Sequence, residues 1–355
     1  MQNFALALIP DNMFIRFRSY LSLLFLWLGP LLSGAVPPDF ERFQIDSRLP
    51  GLRLSVLHLP PARARQTVPV LFVHGASFPS ALSAGFRLGG TSWMDDLAAV
   101  GYDTYALDFL GYGHSDRYPQ MAQAATQDPS FSTGRQVAQD LDRAVEAILR
   151  RTRARQVYLV GHSWGATVCA YYASQHPERI SRLVLFAPFP PTQSTVKEEE
   201  APVPPPAYQD MTPAERVAQF RAGVPAGEAQ VLALELASTW PVAWLQSDPT
   251  AATRRSPTVR FPSGWEVDLL GCGAGQCYYD PSRIAVPTLL MRGEWDQLPS
   301  AEAADAMFRR LTRAPVKRYV VIGRATHVAH LEKSRFELYQ EVRSFLAEPL
   351  RLPAP

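Results

Sequence analysis

Ser163 stands at the centre of Gly161-His162-Ser163-Trp164-Gly165, between an apolar, β-branched run at 157–160 and a helix-like stretch at 166–176. Glycines two places before and after a serine, at an abrupt passage from strand to helix, leave room for a cramped turn that holds the hydroxyl out at its tip. The helix start beside it offers free N–H groups and positive potential where an oxyanion would form. A serine hydroxyl is a poor nucleophile near neutral pH and needs a histidine within hydrogen-bond reach, itself held by a carboxylate. The chemistry such a set performs is attack on a carbonyl and transfer of the acyl group.

In a strand-turn-helix arrangement of this kind the partners follow the serine in the order acid, then histidine. Beyond the proline-rich middle of the chain only His327 and His330 remain. His327 closes the loop Gly323-Arg324-Ala325-Thr326 directly after an apolar run, which makes it the expected base; His330 is expected either to support it from behind or to open the next helix. The acid is sought in Arg292-Gly293-Glu294-Trp295-Asp296, where Asp296 is preferred to Glu294 because Gly293 allows the turn and a short side chain fixes an imidazole well. Glu294 reads as a surface charge or a partner of Arg292. The backbone N–H groups of Trp164 and Ala76 are the expected oxyanion donors. His58, His114, His162 and His176 read as surface or packing histidines.

The elements that must position these groups alternate. Residues 40–47 and 52–59 form an expected antiparallel hairpin around Leu49-Pro50-Gly51, and 68–73 a buried strand leading into His74-Gly75. A long Gly/Ser/Ala-rich loop at 76–90 precedes a helix capped by Thr91, and 102–107 is a further strand. Val137, Leu141, Val145 and Ile148 recur at helical spacing within 132–151, and 182–187 is strand again. Strand 288–291, helix 300–311, strand 317–322 and helix 334–346 complete the series. Such alternation predicts an α/β fold with a mostly parallel central sheet covered by helices on both faces, and ligand binding beyond the carboxyl ends of the strands. Residues 36–188 and 284–355 are the two parts of this core. Residues 189–283 read as a helical cap insertion entered through a Pro-rich linker, with helices expected at 213–222 and 228–238. Its aromatic residues, Trp240, Trp244, Phe261, Trp265, Tyr278 and Tyr279, are candidates either for an apolar pocket wall or for the insertion's own small core.

The 355 residues are 47% hydrophobic and 19% charged, which suits one large globular domain. A net charge of +2 with no basic stripe argues against nucleic acid as a partner. Residues 1–35 read as a signal peptide: Arg16 and Arg18, an apolar run at 20–28, Gly29-Pro30, then Ser33-Gly34-Ala35 as a cleavage site. The apolar run is shorter than the ~20 residues of a spanning helix, so export without a stable membrane span is expected. Met13 is a plausible initiator. Cys272 and Cys277 flank a flexible Gly-Ala-Gly-Gln loop able to close a disulfide, and Cys169 reads as a small buried hydrophobe. No phosphate-binding loop, dinucleotide fingerprint or metal cluster is evident, so neither a cofactor nor a metal is expected.

Together, Val73-His74-Gly75, the loop from Asp108 to Asp116, Gly161 to Gly165, Gly293 to Asp296, and Thr326-His327-Val328-Ala329-His330-Leu331-Glu332 resemble the α/β-hydrolase family over residues 40–346. The likeness is to its capped members, which include esterases, lipases, cofactor-free peroxidases and epoxide or haloalkane hydrolases. The resemblance implies a Ser163–Asp296–His327 triad and hydrolysis of a small-molecule ester through an acyl-enzyme. Epoxide and haloalkane hydrolases of this kind use an aspartate nucleophile, so Ser163 speaks against both. The rival expectations are the same triad in non-hydrolytic chemistry, such as a lyase or cofactor-free haloperoxidase reaction, and a binding protein that keeps the fold without catalysis.

Overall fold

The structure, a computed structural model, describes residues 39–125, 130–191 and 205–349. The leader and most of the Pro-rich linker with its Lys197–Glu200 charge run lie outside these residues. The chain runs through β1 (Glu41–Asp46), β2 (Arg53–Leu59), β3 (Val70–Val73), α1 (Trp93–Ala99), β4 (Thr104–Asp108), α2 (Gly134–Thr152), β5 (Val157–His162), α3 (Trp164–Gln175) and β6 (Ile180–Phe186). An inserted segment follows with β7 (Tyr208–Met211), α4 (Pro213–Arg221), α5 (Leu234–Gln246), β8 (Val259–Pro262) and α6 (Gly264–Gly273). The chain then returns through β9 (Thr288–Gly293), α7 (Ala301–Arg310), β10 (Lys317–Ile322) and α8 (Arg335–Ala347).

Eight strands form one sheet in the order β1-β2-β4-β3-β5-β6-β9-β10. Only β2 runs antiparallel to its neighbours, β1 and β4; all other pairs are parallel. Because successive strand side chains point to opposite faces, each central strand feeds two cores. Leu71, Val73, Val157, Leu159, Leu183 and Leu185 join the core built with α2 and α3, where Val137, Leu141, Val145 and Ile148 are fully buried. Val70, Phe72, Tyr158, Val160, Val184 and Phe186 join the opposite core, built with Trp93 and Leu97 of α1 and Leu338, Val342 and Phe345 of α8. Near-continuous apolar runs in β3, β5 and β6 are what a sheet buried on both faces requires.

The sheet and its helices lie close to their expected bounds, while several local assignments shift. The α1 cap is Ser92, not Thr91: the Ser92 hydroxyl accepts from the Asp95 N–H at 3.0 Å and the Asp95 carboxylate accepts from the Ser92 N–H at 2.9 Å. The loop at 76–90 contains a short 3-10 turn, Ser80–Leu82. In the inserted segment the expected helix at 228–238 is α5, which begins later and continues past Pro241 to Gln246. A proline inside a helix costs one hydrogen bond, which packing of Trp240 and Trp244 outweighs here. The antiparallel ribbon β7–β8 and helix α6 were not expected: four-residue strands carry too little alternation, and Gly264, Gly271 and Gly273 mask the helical pattern.

The inserted segment is tied to the core through buried polar contacts. Trp240 Nε1 donates to the Leu82 carbonyl and Trp244 Nε1 to the Ser77 carbonyl, both at 2.9 Å. Asp268 of α6 accepts from Trp164 Nε1 at 2.7 Å and from the Gly134 N–H at 2.6 Å, joining α6 to the starts of α3 and α2. Cys272 and Cys277 are disulfide-bonded, whereas Cys169 is a free, buried thiol. No helix among the described residues is long and apolar enough to cross a membrane.

Burial pushes the Asp268 carboxyl up to about 7, against the lowering pull of its two N–H donors. A carboxyl raised in the folded state keeps its proton there while the unfolded chain has lost it. Its contribution to stability is therefore fully present below the unfolded value near 4 and declines as pH rises through about 7. Asp268→Asn retains an acceptor for both N–H groups but cannot ionise. Urea unfolding of the two chains should show the wild type losing ground to Asp268→Asn between pH 5 and pH 8. A pH-independent difference would contradict this titration.

Candidate active site

Strand β5 ends at His162 and α3 begins at Trp164, so Ser163 alone makes the corner, at φ 55° and ψ −127°. That left-handed backbone is costly for a non-glycine residue and persists only where its surroundings impose it. The Ser163 N–H donates to the Phe186 carbonyl at 2.8 Å, and the Ser163 carbonyl accepts from Ala166 N–H at 2.9 Å. The flanking glycines are required sterically. A Cβ on Gly161 would lie 2.5 Å from the Ala166 Cα, and one on Gly165 would lie 2.2 Å from the His74 carbonyl oxygen.

The structure brings together the three side chains expected to converge. Ser163 Oγ lies 2.8 Å from His327 Nε2. His327 Nδ1 lies 3.1 and 3.2 Å from the two Asp296 carboxylate oxygens. The tautomer that satisfies both contacts carries its proton on Nδ1, so that the serine hydroxyl donates to Nε2. Asp296 is almost fully buried and also accepts from the Leu298 N–H at 2.9 Å, while its own carbonyl is held by the Arg292 guanidinium. Glu294 has a different partner: its carboxylate accepts from the Arg324 N–H at 2.8 Å, bracing the loop that carries His327.

Ala76 lines the same cavity as Ser163, and Trp164 N–H opens α3; neither N–H donates to a protein acceptor among the described residues. The loop that carries Ala76 is held on several sides. His74 Nε2 accepts from the Phe109 N–H at 3.2 Å, which puts the ring proton on Nδ1, 2.6 Å from the Gly75 carbonyl. Burial lowers the His74 pKa and keeps the ring neutral. Asp108 accepts from Ser80 N–H at 2.8 Å, and Ser115 Oγ donates to the Asp108 carbonyl. The loop from Asp108 to Asp116 is thus a brace for the turn beside Ser163.

A cavity of about 260 Å³ opens over Ser163 and His327. Phe78, Phe189, Phe220, Phe261 and Trp265 supply its aromatic wall. Of the six aromatic residues singled out in the inserted segment from the sequence, only Phe261 and Trp265 reach it. Trp240 and Trp244 lie behind, where their indole N–H groups find carbonyls, and the Tyr279 hydroxyl donates to the Phe189 carbonyl at 2.7 Å. A larger groove, about 830 Å³, lies at the amino-terminal ends of β3 and β5, between Pro60 and Gln156, and contains none of these groups. Among the described residues no group of three or more His, Cys, Asp or Glu is arranged to hold a metal ion.

Three further residues support the loop that carries His327. His162, of the two readings given to it, is the packing histidine; its Nε2–H donates to the His327 carbonyl at 2.9 Å, and burial lowers its pKa well below the usual value. His330 lies in a 3-10 turn, not at the start of α8, which begins at Arg335. It is pushed down to about 3 by burial and then by His327, and its Nε2 lies 3.2 Å from Ser83 Oγ. Glu332, buried below the loop, accepts from Thr326 through both N–H and hydroxyl. Burial raises its carboxyl to about 7.

The sequence profile of the alpha/beta hydrolase fold matches residues 68–334. Among curated proteins the chain is similar to 1-acylglycerol-3-phosphate O-acyltransferase ABHD5 of Rattus norvegicus, 28% identical over 141 residues, covering 38% of this chain and 37% of that protein. It is also 28% identical to the lysosomal acid lipase/cholesteryl ester hydrolase of Homo sapiens over 126 residues, 36% of this chain and 32% of the relative. The chain thus matches about a third of the length of these curated relatives. The solved structure of carboxylesterase CesB (YbfK) from Bacillus subtilis superposes with a TM-score of 0.56 at 18% identity, over 89% of this chain and 94% of that one, a likeness of fold. With three quarters of its length inside the profile, the chain belongs to the alpha/beta hydrolase fold family.

Proposed function

We propose that the protein is a serine hydrolase that cleaves the carboxylic ester of a small to medium, largely apolar substrate. The observation that carries this reading is the 2.8 Å contact between Ser163 Oγ and His327 Nε2, with Asp296 on the far side of the ring. In the proposed cycle His327 takes the serine proton as Oγ attacks the ester carbonyl. The oxyanion accepts from the N–H groups of Ala76 and Trp164, and His327 then gives its proton to the departing alcohol. Water, deprotonated by the same imidazole, attacks the acyl-serine and releases the acid. Asp296 keeps the proton on Nδ1 and stabilises the imidazolium without being protonated itself. Relatives whose names include a lipase and a cholesteryl ester hydrolase support ester chemistry.

The inserted segment is proposed to act as a cap that shapes the substrate site, since Gln209, Met211, Phe220, Phe261 and Trp265 face the same cavity as Ser163. Export is proposed from the positive, apolar and small-residue succession in residues 16–35.

A fluorophosphonate probe should label the wild type and leave Ser163→Ala unlabelled; equal labelling of both would end the proposal. Asp296→Asn should keep the fold but lower kcat on a simple ester by about 10⁴, because the amide favours the wrong imidazole tautomer. A loss below about tenfold would place the orienting carboxylate elsewhere. N-terminal sequencing of the chain recovered from its native compartment should begin at Val36, and an intact leader would contradict export with cleavage.

A further inference from the structure

Arg216 of α4 lines the Ser163 cavity, and it is the one formally charged side chain outside the triad among the described residues that do so. The lining contains no aspartate or glutamate. One guanidinium nitrogen, Nη1, donates to Gln219 Oε1 on the same helix. Its Nε is buried with no hydrogen-bond partner, and no carboxylate among the described residues pairs with the group. Two other arginines of the inserted segment contrast with it: Arg260 pairs with Asp210 at 2.7 Å and Arg254 with Asp248 at 2.8 Å.

What surrounds Arg216 instead is aromatic. Its guanidinium carbon lies 5.6 Å from the centre of the Phe78 ring and 5.1 Å from that of Phe220. Ring faces offset part of the lost hydration of a cation but offer it no countercharge. Burial pulls the Arg216 pKa down to about 10, which leaves it charged at neutral pH. The Phe78 ring that it faces is in turn 6.3 Å from the ring of His162, next to the serine. An unpaired cation is thereby held one aromatic ring away from the reacting centre.

We propose that Arg216 recognises a carboxylate on the substrate, so that the esters this site prefers carry an anionic group beyond the scissile bond. This inference rests on the hydrolytic reading of the site and narrows its substrate class from wholly apolar esters to those with an acidic end. A neutral substrate that fills the cavity leaves the guanidinium buried without an anion. A carboxylate supplies the missing charge and replaces water with a charge-assisted hydrogen bond.

The test separates binding from turnover by using Ser163→Ala chains and two anilides of equal length, the mono-4-nitroanilide of glutaric acid and the 4-nitroanilide of pentanoic acid. Titration calorimetry should show the glutaric compound binding at least about tenfold more tightly, a difference that Arg216→Gln reduces to about twofold or less and Arg216→Lys partly restores. Equal binding of the two compounds, or a preference that survives Arg216→Gln, would overturn the proposal. Tighter binding of a phosphonate of the same length would overturn the assignment to a carboxylate. If Arg216→Gln does not fold, the comparison of the two compounds with Arg216 intact still decides. Because no turnover is needed, failure here is distinct from failure of the Ser163 labelling experiment. In the wild type, kcat/KM for the 4-nitrophenyl half-ester of glutaric acid should exceed that for 4-nitrophenyl pentanoate by a similar factor, and the reverse order would count against it.

Discussion

The start of α3 presses against the end of β3 backbone to backbone, and the site is built around that contact. Gly165 meets the His74 carbonyl so closely that a single added carbon would overlap it. Gly75 in turn faces the Ser163 Cβ, where its own added carbon would lie 2.9 Å away. Without side chains at these positions, a helix start and a strand end share one small volume. The strained corner at Ser163 belongs to the same crowded turn, where a single residue links β5 to α3.

Strain of this kind persists only where the neighbourhood is rigid, and here the rigidity comes from buried polar groups as much as from apolar packing. Asp108, the indoles of Trp240 and Trp244, Arg292 and Glu332 each fasten a loop whose backbone would otherwise be free. A buried donor or acceptor that loses its partner costs about 1–3 kcal/mol, more than the bond itself contributes in net terms. Such contacts therefore act less as sources of stability than as penalties on every alternative loop path. His162 and His330, neutral and enclosed, extend the same support beneath His327 without adding a second charge there.

Much of this was legible in the residue string because it depends on short-range constraints. Glycines flanking Ser163, apolar runs in β3, β5 and β6, and helical spacing in α2 each state their structure locally. Asp296 and His327 could be placed because loops after parallel strands end on one side of a sheet. Less could be read from the inserted segment, where Pro241 hides only the far end of α5, Gly264 and Gly271 hide α6, and the ribbon β7–β8 is too short to show alternation. The supporting roles of His162, Glu332 and Arg216 were invisible for another reason. His162 answers to a carbonyl 165 positions away, Arg216 to the lack of an ionic partner, and Glu332, though bonded to nearby Thr326, to a burial that only the folded chain supplies.

The free Cys169 is enclosed on α3, about two turns beyond the corner at Ser163, while the other two cysteines are joined to each other. Burial raises its thiol pKa well above the usual range, so the native chain presents no thiolate to solvent. An alkylating dye would therefore find nothing to react with until α3 lifts away from the sheet. The chain carries its own reporter of that event, placed on the very helix that holds the serine corner.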